Sequence, residues 1–462
     1  MASQLDVYLD GEGLPKEALA IFETLQVSKE QQRQIMKILN QSMDRGLRAD
    51  TRDEAALKML PSYVRSLPNG TEMGRFMSLD MGGSNFRVLL VELTDEGLTT
   101  TVDRYHIPHE ILFGTADLFF DYIADHIEIF LKTHCPAGIC DDLPLGFTFS
   151  FPCNQHGLDS AELVIWTKGF AVQGVVGKDV VLLLQKALDK KNIKARTVAL
   201  INDTVAVLIG GAYYDHNCQI GLIVGTGINA AYMEPLSNVG KWKGDNNEPR
   251  QVVINIEMGG FGDEGVIEFV RTEIDLDLDN RTVNKGNQRV EKMISGKYLG
   301  EVARIILAKL AHLGVAFRGK LPKPLEEDWI FTTSFISEIV EGDTEDSQPN
   351  CRRILQSLGA DDPSPADCRL LHAICARVTQ RSAMLASSLV AGLLSRLKKP
   401  NMSIAVEGSM YKGFPAFRER MTEQVAELSP NYKAKFVPVE DGPGIGSAVL
   451  AAVVTRMTQE KH

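Results

Sequence analysis

Apolar positions along this chain recur first at helical spacing and then in short strand-like runs, and the switches between the two mark its elements. After Ser28, the residues Ile35, Ile38, Leu39 and Met43 keep to one helical face, and Ser28 with Gln31 makes a capping box. Pro61 to Gly74 interrupts this as a polar linker with Pro-Asn-Gly at 68–70. Strand patterns follow over Phe76–Met81 and Phe86–Leu93, separated by a Gly-Gly turn. Thr115 precedes a helix carrying Leu118, Phe119, Tyr122, Ile123, Ile127 and Phe130. Leu143–Phe149 is predicted as a short strand, Asp179–Lys190 as a helix and Arg196–Ile201 as a buried strand.

The theme then repeats. Ile220–Val224 is an apolar strand, Gly-Thr-Gly follows, and a second strand runs to Met233. Val266–Leu313 is largely helical by spacing, whereas Gly342–Pro365, acidic and polar with two prolines near its end, is expected to be a surface excursion. Ala366–Leu397 is one long helical run, Ser403–Val406 a strand and Gly446–Met457 a closing helix. Alternating strands and helices around two similar glycine-turned hairpins predict an α/β chain of two related lobes.

Composition narrows the function classes. A chain of 462 residues is too long for one compact core and suits two lobes. Its net charge of −11 argues against a nucleic-acid-binding or anionic-membrane surface, both of which want excess Lys and Arg. No stretch approaches the roughly 18 to 20 apolar residues of a membrane span. Met1 to Asp10 has no basic start and no apolar segment, so a free cytoplasmic protein is expected. The seven cysteines are odd in number and include no C-x-x-C, which points to reduced thiols rather than a disulfide framework or zinc site.

Chemistry concentrates in a few segments. In the hairpin Leu79 to Arg87, glycines at the turn expose backbone N–H groups and let a phosphate approach closely. Asp80 at the end of the first strand could hold Mg²⁺ through water, with Arg87 adding positive charge. The same segment also suits an ordinary glycine-turned hairpin. The second hairpin, Val224 to Asn229, carries similar equipment. It lacks the third glycine of a dinucleotide fingerprint, a strand rather than a helix follows, and no Walker A sequence occurs anywhere. Two such hairpins facing across a cleft would grip a triphosphate, which suits phosphoryl transfer better than hydride transfer.

Leu200-Ile201 lead straight into Asn202-Asp203-Thr204, so this polar trio ends a buried strand, where open α/β sheets place ligands. Asp203 could take a proton from a sugar hydroxyl, or it could simply cap the following helix. Further polar groups stand at Ser150, at Thr167-Lys168 after Trp166, at Asn255-Ile256-Glu257 before Met258-Gly259-Gly260, and at Glu291. Each taken singly suits a capped turn or a solvated charge.

Taken in order, LDMGGSNFRV, FTFSFP, WTKGF, INDTVA, GTGINAAYME, INIEMGGFG, EKMISGKYLGE, FTTSFIS and VEGSMYKGFP resemble the eukaryotic hexokinases, including the single-unit animal glucokinases. The likeness spans about residue 60 to residue 455. It implies two actin-like (ribonuclease H-like) lobes with a cleft between them, residues 1–73 and 201–445 forming the larger and 74–200 with 446–462 the smaller. It implies that Mg-ATP phosphorylates the 6-hydroxyl of a hexose, glucose first, with no metal beyond magnesium and no nucleic-acid or membrane partner. Asp203 would be the general base. Ser150, Thr167, Lys168, Asn202, Asn229, Glu257 and Glu291 would bind the sugar, Lys168 also reaching the transferring phosphoryl. Asp80 would support Mg²⁺. Gly82, Gly83, Ser84, Asn85, Arg87, Thr226 and Gly227 would cradle phosphates, and Ser337, Gly408 and Ser409 would lie on the adenosine side. The departures fall on that side: Glu407 stands where the family usually has Asp, and Pro443 where it usually has Ser, stiffening a stretch near the expected hinge. A non-catalytic sugar sensor on the same fold is the competing reading, separated from an enzyme by an assay with glucose and Mg-ATP.

Overall fold

The computed structural model describes residues 13–83, 85–135, 142–344 and 347–460. Two sheets form its frame. Strands β2 (Gly74–Met81), β3 (Asn85–Thr94) and β4 (Gly97–His106) make an antiparallel meander. On the other side of β2, β5 (Leu143–Phe149) and then β8 (Ala195–Ile201) add in parallel, giving the order β4-β3-β2-β5-β8. The second sheet repeats this plan. Its meander is β9 (Cys218–Val224), β10 (Ile228–Pro235) and β11 (Gln251–Asn255), and β12 (Asn401–Glu407) and β13 (Lys433–Pro438) add in parallel beyond β9. A two-residue β1 (Leu60–Pro61) edges this sheet, and β6 (Cys153–Gly157) with β7 (Ser160–Leu163) forms a separate small hairpin.

The fifth strand of each plan feeds a helix that crosses to the other sheet. Helix Asp203–Tyr214, after β8, packs on β9, β10 and β12, and helix Gly442–Gln459, after β13, packs on β2, β3 and β5. The two helices also pack on each other, so the sheets are joined through a helical pair. Glycine makes that approach possible: a Cβ on Gly446 would lie 1.9 Å from the Ala206 carbonyl oxygen, and one on Gly146 2.0 Å from that of Ser447. The lobe boundary read from sequence at 445/446 cuts the second of these helices near its start.

Each lobe has its own apolar core. In the smaller, Phe119, Ile123, Ile127 and Phe130 of helix Ala116–His134 and Leu184 and Leu188 of helix Val180–Lys190 cover the sheet residues Leu79, Leu145 and Phe147. In the larger, the 33-residue helix Pro365–Leu397 is buried along most of its length and packs on helices Lys29–Leu47, Leu299–His312 and Pro415–Leu428. Charges buried there are paired: Arg381 with Asp275, Lys292 with Asp279 and Arg304 with Glu301. Such pairs hold shape because removing one partner strands a buried charge. The capping box at Ser28 and Gln31 forms as the sequence indicates, as does the cap at Thr115.

Two expectations are corrected. Gly342–Pro365 contains helix Pro349–Ser357, whose Cys351, Ile354 and Leu355 are buried against the core. Three apolar residues at helical spacing outweigh an acidic surround, and the Asp343 carboxylate caps the helix by accepting from the Asn350 and Cys351 amides. Cys135 is disulfide-bonded, whereas Cys153, Cys218, Cys351, Cys368 and Cys375 are free. An odd cysteine total excludes a fully paired set but not a single bridge. Among the described residues no helix is long and apolar enough to cross a membrane.

Candidate active site

The larger-lobe candidates stand at the carboxyl ends of β8, β9 and β11 and in the first turn of helix Arg289–Ile294. On the side of the larger lobe, Asn229 donates its side-chain amide to Asn255 Oδ1 at 2.9 Å. The Asn229 side-chain oxygen Oδ1 accepts from the Ala230 and Met258 amides at 2.8 and 3.1 Å. Asn255, the last residue of β11, donates in turn to Glu257 Oε1 at 2.7 Å. Glu257 sits in the left-handed region with φ of 58°, a conformation that a non-glycine residue keeps only where its surroundings impose it. Glu291, in the first turn of helix Arg289–Ile294, accepts the Ile228 amide at 3.1 Å. A Cβ on Gly227 would fall 2.4 Å from Glu291 Oε2, so this hairpin glycine leaves room for the carboxylate. Burial pushes the carboxyls of both Glu257 and Glu291 up, opposed by the hydrogen bonds from Asn255 and Ile228.

At the end of β8 the capping position falls to Asn202 rather than Asp203. Asn202 is the N-cap, accepting the Thr204 amide at 2.9 Å. Asp203 opens the helix, and its Oδ1 accepts from the Thr204 amide at 2.7 Å and hydroxyl at 3.1 Å. Its Oδ2 makes no hydrogen bond among the described residues. The charge of Asp203 raises the carboxyls of both Glu257 and Asp80, so it lies within electrostatic reach of each.

The smaller lobe supplies Ser150, Thr167 and Lys168. Ser150 continues β5 by donating its amide to the Met81 carbonyl at 3.0 Å. Trp166 stacks on Phe170 at 5.3 Å and edges Phe151, an apolar anchor from which Thr167 and Lys168 project into solvent. Lys168, with φ of 57°, donates Nζ to the Ser150 carbonyl at 3.0 Å and lowers the carboxyls of Asp80 and Glu257.

The first hairpin is arranged by charge. Asp80 and Arg87 face each other across the first hairpin, with Arg87 Nε donating to Asp80 Oδ2 at 2.9 Å. Arg87 also pairs with Asp441, the left-handed N-cap of the last helix. Burial pushes the Asp80 carboxyl up and Arg87 opposes it. Gly82 and Gly83 form the turn, Asn85 contacts His106, and Ser84 lies outside the described residues. In the second hairpin Thr226 is exposed and Gly227 half-buried. Gly408, with φ of 115°, brings the end of β12 against that hairpin: a Cβ there would meet the Val224 carbonyl oxygen at 2.3 Å. Ser409 follows it, exposed, and Ser337 reaches the Gly413 carbonyl at 3.4 Å. Glu407 is pushed up by burial and opposed by Lys412 and Arg87. Pro443 falls in the first turn of helix Gly442–Gln459, where proline needs no donor, so it starts the helix rather than stiffening a loop.

No three acidic, histidine or cysteine residues among those described are grouped to hold a metal. A lone Asp80 fits magnesium, which keeps waters and takes phosphate oxygens alongside one or two carboxylates. The sequence marks Asn255 only as part of the Asn255-Ile256-Glu257 segment, and it gives Asp441 no role. Asn255 stood two residues before Glu257 at a strand end, and Asp441 before a glycine-proline turn, which were the available signals.

Two family models, both described as hexokinase, match residues 17–213 and 219–453. The chain is 43% identical over 447 residues to Hexokinase-2 of Homo sapiens, covering 94% of this chain and 48% of that protein. It is 42% identical over 451 residues to Hexokinase-1 of Mus musculus, covering 95% of this chain and 45% of that one. The chain thus spans about half the length of these relatives. A hexokinase from Schistosoma mansoni complexed with glucose superposes with a TM-score of 0.85 at 38% identity, covering 95% of this chain and 98% of the other. A second hexokinase crystal structure gives a TM-score of 0.84 at 30% identity, covering 95% and 99%. With both sheets, both hairpins and nearly the whole length matched, this chain belongs to the hexokinase family.

Proposed function

We propose that this chain transfers the γ-phosphoryl group of ATP to the 6-hydroxyl of a hexose, giving hexose 6-phosphate and ADP. The observation that carries this reading is Asp203 at the carboxyl end of β8, with only its Oδ1 engaged among the described residues and its charge felt by both Glu257 and Asp80. A base between a hydroxyl-binding set and a phosphate-binding set is what an alcohol acceptor requires. Glucose is the favoured hexose, since the hexokinase from Schistosoma mansoni matched over nearly its full length is a glucose complex.

In this mechanism Asn202, Asn229, Glu257 and Glu291 take the sugar hydroxyls, and Ser150, Thr167 and Lys168 close on it from the smaller lobe. Asp203 Oδ2 accepts the proton of the 6-hydroxyl as the oxygen bonds to the γ-phosphorus and the bond to ADP breaks. General-base catalysis of this kind contributes about 10² to 10⁴-fold. Lys168 and Arg87 offset charge on the transferring group, and the glycine turns supply backbone donors. Magnesium, held through Asp80 and water, would neutralise phosphate charge when bound. Closure around the sugar excludes water as a competing acceptor.

A coupled assay for ADP with Mg-ATP tests the reading. Glucose-dependent ADP release with stoichiometric sugar phosphate is the expected result; ADP release indifferent to any hexose would contradict it.

A further inference from the structure

The two sugar-facing carboxylates come from segments 34 residues apart, and one side chain outside the sugar set ties those segments together. Glu257 leads through the turn Met258–Gly260 to Phe261, which is fully buried, and then to Asp263. The Asp263 carboxylate reaches across to the start of the helix that bears Glu291. Its Oδ2 accepts the Gln288 amide at 3.0 Å and its Oδ1 the Arg289 amide at 2.8 Å. Gln288 is itself left-handed, with φ of 58°, and its side-chain oxygen lies against Gly259, where a Cβ would come within 2.2 Å.

The contacts close a ring. Asp263 holds the Gln288–Arg289 amides; Glu291 of that helix holds the Ile228 amide; Asn229 holds the Met258 amide and, through Asn255, Glu257. Every other link in this ring uses a proposed sugar residue or Asn255, which bonds one directly. Asp263 is the link that touches none of them and still fixes their spacing. Beneath it Asp279 accepts the Gly286 amide at 3.1 Å and pairs with buried Lys292 at 2.6 Å, so the loop 281–288 is held from both ends.

We infer that Asp263 is a positioning residue for hexose affinity, setting the distance between Glu257 and Glu291 by gripping two backbone amides. The inference rests on the hexose-kinase reading above and adds to it a residue with a selective effect. Two carboxylates that must bracket one sugar ring lose affinity when either drifts, whereas among the described residues none of the ring's hydrogen bonds involves Asp80, Arg87 or Asp441. A defect confined to the sugar is therefore expected, not a general loss of activity.

The test compares Asp263→Ala and Asp263→Asn with the unaltered chain. It reads KM for glucose, KM for ATP, and glucose Kd from intrinsic tryptophan fluorescence, to which Trp166 beside Thr167 contributes. Asp263→Ala is expected to raise KM and Kd for glucose about tenfold, equivalent to about 1.4 kcal/mol, with KM for ATP within about twofold. Asp263→Asn keeps one carbonyl acceptor and is expected to fall between, at about threefold; it also carries the test if the alanine variant does not fold. Unchanged glucose Kd in the folded variants of an active enzyme overturns the inference alone. Parallel increases in both KM values also overturn it, since they mark a general structural role. An unaltered chain that neither binds nor phosphorylates glucose overturns both this inference and the function it rests on.

Discussion

Asn229, Asn255, Glu257 and Glu291 hold one another through side-chain and backbone hydrogen bonds, whereas Asp80, Arg87 and Asp441 on the phosphate side satisfy one another by charge. The first set is rigid before any ligand arrives. Its carboxylates sit in a fixed frame with acceptor capacity left for hydroxyls, so little reorganisation is needed on binding. The second set is internally neutralised. Arg87 is committed to two carboxylates, so under the proposed function a phosphate would have to draw it away and magnesium would take its place on Asp80. The lesson is that one cleft can hold a preassembled recognition face opposite a face whose charges wait for exchange.

Four substitutions break or sharpen that contrast. The largest effect is expected from Lys292→Ala, which undermines the rigid side from below. It leaves the buried Asp279 carboxylate with only the Arg271 guanidinium at 3.7 Å as a charged partner, and loss of one member of a buried pair costs about 3 kcal/mol. Urea unfolding should report that loss directly. Gly227→Ala pushes a Cβ into Glu291 Oε2 without disturbing a core. Glucose KM should rise about tenfold, about 1.4 kcal/mol, while the unfolding midpoint stays close to that of the parent chain. Arg87→Ala, on the exchangeable side, should raise ATP KM by about tenfold and leave glucose KM within about twofold, since a charge-assisted contact is worth about 1.5–3 kcal/mol. A glucose KM that moved equally would erase the distinction between the two faces.

Glu257→Gln gives the smallest change and a sign that is easily checked. Burial raises the Glu257 carboxyl, so the folded chain holds that proton to higher pH than the unfolded chain does. Below the unfolded value of about 4.3 both states are protonated and nothing is lost. As pH rises through the folded value the native state must carry a buried charge, and stability falls across that window. Glutamine removes the fall. Urea titrations from pH 4 to 8 should show the variant matching the parent at the acid end and exceeding it at pH 8 by about 1 kcal/mol or less, the scale of one hydrogen bond. Glucose binding should weaken at the same time.

Much of this architecture is legible in the sequence, and the failures share a cause. Both hairpins, the caps at Ser28 and Thr115 and the long helix from residue 365 declare themselves because period, cap and glycine agree locally. Strand β4 does not, because an edge strand with only a half-buried face shows little apolar pattern, and Pro349–Ser357 is hidden by its acidic flanks. The candidate site is legible only where polar residues end apolar strands, as at Asn202-Asp203. Asp263 and Asp441 act through backbone amides or a charge supplied by distant segments, and no local spacing announces such a partner. Asp203 suits either cap or base by sequence alone, and only the fold shows that Asn202 takes the capping position.

The central claim is that Asp203 removes the acceptor proton from within an already assembled sugar site. Asp203→Asn tests it most directly, because asparagine keeps the size and the acceptor for Thr204 but cannot take up the proton. Pre-steady-state rates of phosphoryl transfer, measured with glucose binding by tryptophan fluorescence, should show the transfer step slowed by about 10² or more while glucose Kd changes by no more than about threefold. Transfer within about twofold of the parent rate would contradict the account, and so would a loss of glucose binding large enough to explain the slower turnover.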